Sequence, residues 1–289
     1  MGLGIALAVG IVLVVPLGLR LVETVVSLPE RRALDLARAG SLPSGMLVGL
    51  ALVMPAGSLA AGLTVPWLTV GAFGALAAVV DEIGTRRPFG RDAKHAESAA
   101  LVFLAVAPVF AMADRLGVSP LGIDPLIVRL TAVHFVFAGF ALPLVGASTW
   151  RLRPSAGVEL ALGAIVLGIP LTAFGFLGFP VANWVGALLV ASGGFVVAVA
   201  AILTADRLDD SLQRWLMRAA GGSLLITMPL GATYATGLFL GLGWLDIPTM
   251  ARVHGTLNAL GFALPALIAL SLQARRAEHN VAVAVRAAP

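Results

Sequence analysis

The sequence predicts an all-α integral membrane protein of about nine transmembrane helices, with one N-terminal helix followed by two parallel four-helix repeats. Its composition, a series of long apolar segments and an internal repeat support this fold class. Of the 289 residues, 59% are hydrophobic and 12% are charged, and the mean hydropathy is +0.99. Soluble domains carry about 25% charged residues. Because so few polar groups cannot cover the surface, we expect membrane lipids to be the solvent and the main partners of the chain.

Nine segments are long and apolar enough to cross a bilayer, which takes about 20 helical residues. The turns GLTVPW and GFPVANW separate the second segment from the third and the sixth from the seventh. The first segment lacks a basic flank and a small-residue cleavage site, so we interpret it as a retained helix and not as a signal peptide. The predicted segments are 2–19, 42–62, 64–81, 97–114, 125–148, 158–178, 181–204, 213–240 and 249–272.

The basic residues predict the orientation of these segments. Sixteen of the 19 Lys and Arg residues fall in loops on one side, and only Arg115, Arg129 and Arg252 fall on the other. The positive-inside rule then places the N-terminus outside and the C-terminus in the cytoplasm. The net charge of +4 is therefore interpreted as a topology signal, and no nucleic-acid partner is expected.

Two stretches of the chain match each other. Residues 121–143 read LGIDPLIVRLTAVHFVFAGFALP, and residues 242–265 read LGWLDIPTMARVHGTLNALGFALP. Both contain Asp, Pro, Arg and Val-His in that order, and both end in GFALP. Five pairs of prolines extend the match along the chain, namely Pro55 with Pro170, Pro66 with Pro180, Pro108 with Pro229, Pro125 with Pro248 and Pro143 with Pro265.

The match divides the chain into four parts. An even number of segments separates each pair of matching segments, so the repeats are predicted to be parallel and related by an axis along the membrane normal. The parts are an N-terminal transmembrane helix (1–20), a first repeat (41–150), a second repeat (156–273) and a cytoplasmic tail (274–289).

Two of the four histidines, His134 and His254, lie in the matching stretches. Ionisable side chains inside a bilayer are costly and usually face the bundle interior, so each indicates a functional site. Asn258 follows His254 by four residues and therefore shares its helix face. We predict that the three side chains line one cavity in the outer half of the bundle. Because burial disfavours the charged imidazole, we expect both histidines to be neutral.

Arg129 and Arg252 are predicted to lie at the mouth of that cavity. Each follows an acid, Asp124 or Asp246, near the start of its helix. Acids at that position cap the helix and complement its dipole. The arginines are therefore candidates for binding an anionic solute, and contact with lipid headgroups is the alternative.

The other polar side chains are predicted to have structural roles. His95 and His279 have charged neighbours and are expected to be solvated. Asp81 and Glu82 end the third segment, and we expect Arg86 and Arg87 to pair with them. The eighth segment contains TMPLGATYAT, whose threonines are expected to form hydrogen bonds within the bundle. Its tyrosine, Tyr234, is an interfacial anchor in the alternative interpretation.

With these motifs placed, the chain resembles the YndJ-like family of bacterial multipass membrane proteins. The resemblance rests on LTAVHFVFAGF at 130–140 and RVHGTLNALGF at 252–262, with MPAGSLAAGLTVPW at 54–67 in support. It implies a bacterial plasma-membrane location for the chain. Family members often carry a second histidine two positions after the first. Val136 stands there in this chain, so no role of that histidine carries over.

Three functions remain open at the level of sequence. A small-solute transporter is favoured, because repeats with polar groups at their interface and proline-broken helices are typical of transporters. The first alternative is a haem or copper redox protein in which His134 and His254 are the metal ligands. The second is a membrane-embedded enzyme that uses a histidine as general base on a lipidic substrate. No cofactor is favoured, and the absence of cysteine excludes thiolate ligands and disulfides.

Overall fold

A computed structural model describes residues 3–22, 28–85 and 93–287. In these ranges nine helices are long and apolar enough to cross a membrane, and no β-strand occurs in them, which confirms the predicted all-α membrane protein with nine spans. The helices are α1 (Leu3–Leu21), α2 (Leu28–Val53), α3 (Ser58–Gly84), α4 (Lys94–Leu116), α5 (Pro125–Leu152), α6 (Ala156–Gly175), α7 (Pro180–Arg207), α8 (Ser211–Leu240) and α9 (Ile247–Ala277).

The boundary between α2 and α3 differs from the prediction. α2 ends at Val53, so the predicted segment 42–62 is wrong at both ends. Pro55 and Gly57 lie in the non-helical stretch that separates α2 from α3. There the Gly57 N–H donates to the Arg115 carbonyl at the end of α4 over 2.7 Å. The GLTVPW turn lies inside α3, where it interrupts the helix without ending the span. Apolar residues flank the true break on both sides, which is why hydropathy does not reveal it.

The helices contact one another in a similar order in the two halves of the chain. α2 to α5 pack in chain order, α6 to α9 do the same, and α1 packs on α2, α5 and α9. This order agrees with a single helix plus two four-helix groups. Superposition of the groups about an axis along the membrane normal stays a prediction.

Of the five proline pairs, two hold corresponding positions within their helices and one does not correspond at all. Pro108 and Pro229 both lie inside a helix, and Pro125 and Pro248 both lie in the first turn of one. Pro55, however, lies in the break after α2, whereas its predicted counterpart lies inside α6. The first predicted pair is therefore not equivalent in the structure.

α5 is the central helix of the bundle. Of the most apolar 18-residue stretch of α5, 78% of the residues are buried, which is the largest share among the spanning helices described. α1 lies very close to it, since a methyl group on Gly18 would meet the Phe140 ring at 2.5 Å. Phe140 is fully buried at this contact. Glycine at position 18 thus permits the close approach that encloses α5.

α5 and α9 each contain a seven-residue π-helical segment. The segments are Phe135–Ala141 and Leu257–Ala263, and each ends just before a Leu-Pro pair. A π-turn inserts an extra residue into a helix and frequently marks a functional site. A further π segment, Ala251–Gly255, precedes the second of these. The two seven-residue segments contact each other, so the matching GFALP sequences meet inside the bundle.

The helix of α9 continues through Ala287, beyond the end of its spanning part. The predicted tail 274–289 is therefore helical up to that residue. Two contacts attach its start to the beginning of α8. Gln273 Nε2 donates to an Asp209 carboxylate oxygen over 3.1 Å, and Arg276 donates to Asp210 over 2.8 Å.

Candidate functional site

We call the end of the bundle that holds Asp124 and Asp246 the outer end, following the predicted orientation, and the opposite end the inner end. Both acids cap their helices. An Asp124 oxygen accepts from the Leu126 N–H over 2.8 Å, and an Asp246 oxygen accepts from the Thr249 N–H over 2.7 Å. The side-chain hydrogen bond with Thr249 holds the pKa of Asp246 below its ordinary value. The predicted capping role is confirmed, so these acids are tied to the backbone.

The two outer arginines have different partners. Arg129 Nε donates to Asp114 Oδ1 over 2.9 Å, and Arg115 Nη2 donates to Asp114 Oδ2 over 2.6 Å. Arg252 instead donates through Nε to the Pro248 carbonyl over 3.3 Å. Sequence reasoning missed Asp114, although its position at the end of α4 brings it near the start of α5. Of the two guanidinium groups, that of Arg252 is the better placed to meet an anion.

His254 and Asn258 form one hydrogen-bonded unit with Thr227 of α8. His254 Nδ1 lies 3.0 Å from the Thr227 carbonyl oxygen, and the Thr227 hydroxyl lies 3.0 Å from Asn258 Oδ1. Gly231 makes room for the imidazole, since a methyl group there would lie 3.2 Å from His254 Cε1. The unit joins α8 to the π-helical part of α9. The side chains of His254 and Asn258, both predicted as site residues, are half-buried in it.

Two of the three threonines in TMPLGATYAT of α8 bond to neighbouring helices, and the third, Thr233, is exposed. Besides Thr227, Thr236 accepts a hydrogen bond from Trp184 Nε1 of α7 over 3.1 Å. Trp184 also stacks on Phe239, with ring centroids 4.7 Å apart. Tyr234 is half-buried between these contacts. α8 is thus attached to α9 in its middle and to α7 at its outer end.

His134 lies in a different setting. Its Nδ1 lies 2.9 Å from the Leu130 carbonyl of its own helix. The side chain of His134 is exposed, and its recorded hydrogen bond is to this carbonyl.

The two histidines are not equivalent relative to the π segments. His134 is the residue directly before its segment, whereas His254 stands three residues before the corresponding one. Two helical residues turn the chain by about 200°. Consequently His254 faces α8, while His134 bonds to α5 itself. The two stretches match in the order of their residues but not in their spacing, since Arg129 precedes His134 by five residues and Arg252 precedes His254 by two. The two histidines therefore project in different directions.

Both imidazoles are held through Nδ1 by a backbone carbonyl. A carbonyl oxygen only accepts, so Nδ1 carries the hydrogen and Nε2 is the acceptor of the neutral ring. Each Nε2 is thus available to a proton, a solute donor or a metal. Within residues 3–22, 28–85 and 93–287, no group of three His, Asp or Glu side chains is placed to hold a metal ion.

Comparison with known proteins identifies the family of the chain. Residues 5–262 match the model of a family described as YndJ-like protein. The chain belongs to the YndJ-like family. The matched region contains both histidines and Asn258, so the unit on α8 and α9 lies within the family part of the chain.

This YndJ-like protein is similar to the uncharacterized membrane protein YndJ of Bacillus subtilis (strain 168). The two are 29% identical over 161 residues, which cover 55% of this chain and 29% of the relative. The aligned chain therefore spans less than a third of the length of that relative. No solved structure matches the chain.

The inner end of this YndJ-like protein carries a second set of charged contacts, which sequence reasoning largely missed. Glu97 is buried and pairs with Lys94 over 3.2 Å and also with Arg151. His95 Nδ1 lies 2.9 Å from a Glu82 oxygen, and its side chain is 17% exposed. The prediction of a solvated His95 is therefore wrong. The arginines expected to pair with Glu82 lie outside the described residues.

Two cavities lie away from the predicted site. One, of about 360 Å³, is a partly open cavity between α3, α4 and α6 at the inner end and is lined in part by Glu82 and His95. The other, of about 490 Å³, has an entirely apolar lining between α6 and α7, around Phe179. A cavity shared by His134, His254 and Asn258 stays a prediction.

Proposed function

We propose that this protein transports a small solute across the bacterial plasma membrane. The observation that carries the proposal is the His254–Thr227–Asn258 unit, which places uncharged polar groups where two irregular helices meet. Non-helical or irregular backbone at membrane depth is typical of transporter binding sites. His134 supplies a second, exposed imidazole on α5, whose π segment contacts that of α9.

The bundle contains elements that support movement. α4 and α8 each contain an internal proline, and the π segments of α5 and α9 lie against each other beside them. Proline and π-turns leave carbonyls without their usual helical donors and mark the points at which helices bend. We therefore propose that α8 and α9 shift relative to α5, with the solute near the two histidines.

An anionic or zwitterionic solute fits the charges at the outer end. Arg252 is exposed and its Nε is bonded only weakly to the Pro248 carbonyl, at 3.3 Å. Protonation of the imidazoles would add positive charge beneath it. We therefore expect solute affinity to rise as the pH falls from about 8 to about 5, the range in which histidine changes charge.

Thermal stabilisation of the purified chain by a panel of small anions and amino acids would find candidate solutes. Uptake of each candidate into proteoliposomes would then be measured at several pH values. The variants His134→Ala and His254→Gln should reduce uptake and flatten its pH profile. His279→Gln is the matched control, because His279 is exposed on the inner part of α9. Unchanged uptake and pH dependence in both test variants would show that the histidines are structural.

A redox protein is the second candidate, favoured by one observation. Metal-ligating histidines almost always donate their other ring N–H to a carbonyl, carboxylate or water, and both imidazoles here bond a backbone carbonyl through Nδ1. The two Nε2 atoms would be the ligands of a haem iron or a copper ion. The absorption spectrum of protein purified from its native host tests this. A Soret band or copper absorption that disappears in His254→Gln would favour it over transport.

The orientation belongs to the same proposal. The excess of arginine at the inner end supports a cytoplasmic C-terminus, and nine spans then place the N-terminus outside. A green fluorescent protein fused after α9 should fluoresce, because it folds in the cytoplasm. A dark fusion together with an active periplasmic reporter at the same point would reverse the orientation and make the histidine site cytoplasmic.

A further inference from the structure

The cavity at the inner end has the size and form of a ligand site. Its volume of about 360 Å³ lies within the range of about 300–1,000 Å³ found for small-molecule pockets. α3 and α4 form two of its walls, and α6 forms the third. The lining is mostly small and apolar, with Ala78, Ala96 and Val166 as examples. Such walls suit an apolar chain or ring.

Two carboxylates, together with His95 and Ser98, line this largely apolar cavity. Glu82 is already bonded to His95. Glu159, in the first turn of α6, has no ion-pair or hydrogen-bond partner among the described residues, and its side chain is half-buried. A half-buried carboxylate against an apolar lining is costly unless a cation meets it. Lys94 and Arg151 are not ion-pair partners of Glu159, because both are paired with Glu97.

Glu159 and the open part of the cavity lie on one helix face. Gly163 follows Glu159 by four residues and also lines the cavity. A methyl group built on Gly163 meets no atom within 4 Å, and Gly163 is exposed, so the cavity is open beside it. The carboxylate thus lies about one helical turn from the open side of the cavity.

We propose that this cavity binds an amphipathic amine, with the ammonium group at Glu159 and the apolar part between α3, α4 and α6. The ligand needs one cationic donor and an apolar body, since the cavity offers one free carboxylate and little other polar surface. Two sources supply this chemistry. One is a lipid with a primary amine headgroup, and the other is a free amphipathic amine. The site is separate from the proposed outer site and does not depend on it.

Trp150 provides a reporter for this cavity. It packs against a cluster that includes Ala93, Ala96 and Leu162, all of which line the void. The full chain in phosphatidylglycerol nanodiscs is titrated with bromododecylamine, a contact quencher, and Trp150→Phe defines the fraction of the fluorescence due to Trp150. We expect saturable quenching of that fraction. Bromododecanol, which has the same chain without the charge, should quench it only weakly.

Two variants and one control test the roles of the residues. Glu159→Gln should raise the half-quenching concentration of the amine by about tenfold or more, the usual effect of losing a charge-assisted hydrogen bond. Gly163→Leu should abolish saturable quenching, because its side chain fills the void while Glu159 is retained. Asp35→Asn removes an exposed carboxylate at the inner end, with 59% of its side chain accessible, and should leave quenching unchanged.

Equal quenching by the amine and the alcohol in the wild-type chain would overturn the proposal, whatever the folding state of the variants. So would wild-type behaviour of both Glu159→Gln and Gly163→Leu when circular dichroism shows them folded. Nanodiscs of brominated phosphatidylethanolamine, without added amine, distinguish the sources. Quenching there that is lost in Glu159→Gln supports the lipid headgroup as the ligand, and no quenching there, with quenching by added amine, supports a free amine.

Discussion

The hydrogen bond between Thr227 and Asn258 predicts a measurable coupling between α8 and α9. Thr227 is fully buried and its hydroxyl lies 3.0 Å from Asn258 Oδ1. Thr227→Val keeps the side-chain shape and the backbone carbonyl that holds His254, but it leaves the Asn258 amide oxygen without this donor. Hydrogen bonds between membrane helices contribute about 0.6 kcal/mol on average and up to about 1.7 kcal/mol. We expect a value in the upper half of that range, because one partner is completely buried.

A double-mutant cycle isolates this contribution. Wild type, Thr227→Val, Asn258→Leu and the double variant are unfolded by denaturant in bicelles, and the coupling free energy is the departure from additivity. Thr131→Val is the matched control, because the Thr131 hydroxyl bonds only to the Ile127 carbonyl of its own helix. Paired with Asn258→Leu, it should show additive effects. A coupling of zero between Thr227 and Asn258, with both single variants destabilised, would refute the hydrogen-bonded unit.

Two further predictions concern the ends of the bundle. Asp114→Asn should destabilise the protein by about 3 kcal/mol in thermal unfolding, because it leaves the buried Arg115 without its carboxylate. The variant Asp124→Asn, which changes an exposed helix cap, is the control. A loss of stability in Asp114→Asn no larger than that in Asp124→Asn would contradict the prediction. At the inner end, the hydrogen bond from Arg276 holds the pKa of Asp210 below its ordinary value. The contact therefore contributes stability above the ordinary carboxyl pKa and loses it as the pH falls through the lowered one. Arg276→Gln should raise the pKa of Asp210 in a carboxyl-carbon NMR titration, and an unchanged pKa would contradict the contact.

Hydropathy predicts the number of spanning helices, because each helix satisfies its own backbone and carries its own apolar run. It misplaces the end of α2 because the break at Pro55 has apolar residues on both sides. Arg129 of α5 departs from the positive-inside pattern, so the sequence marks it as unusual. Its partner Asp114, however, belongs to the preceding helix. No periodicity along the chain links two side chains that meet only where antiparallel helices end side by side.

The histidines show a different limit of sequence reasoning. The repeated GFALP letters identify the two segments that meet inside the bundle. His134 precedes the glycine of its GFALP by five residues and His254 precedes the corresponding glycine by seven, so the sequence already carries the offset between the two imidazoles. A comparison of residue order overlooks this spacing, and the π-turns themselves are not visible in the letters. The bond from His254 to a backbone carbonyl of α8 is likewise independent of the identity of Thr227, so no residue pattern reveals it.

The continuation of α9 makes this helix a mechanical lever. About ten residues follow Ala277 before the helix ends at Ala287, and at ~1.5 Å per residue they extend about 15 Å past the spanning part. One helix therefore runs from the π segments to a point about 15 Å past the spanning part. A bend of a few degrees at the π segments would move residues near the distal end of this helix farther than those close to the bend. A probe attached near residue 287 would convert small rearrangements deep in the bilayer into displacements that can be read in water.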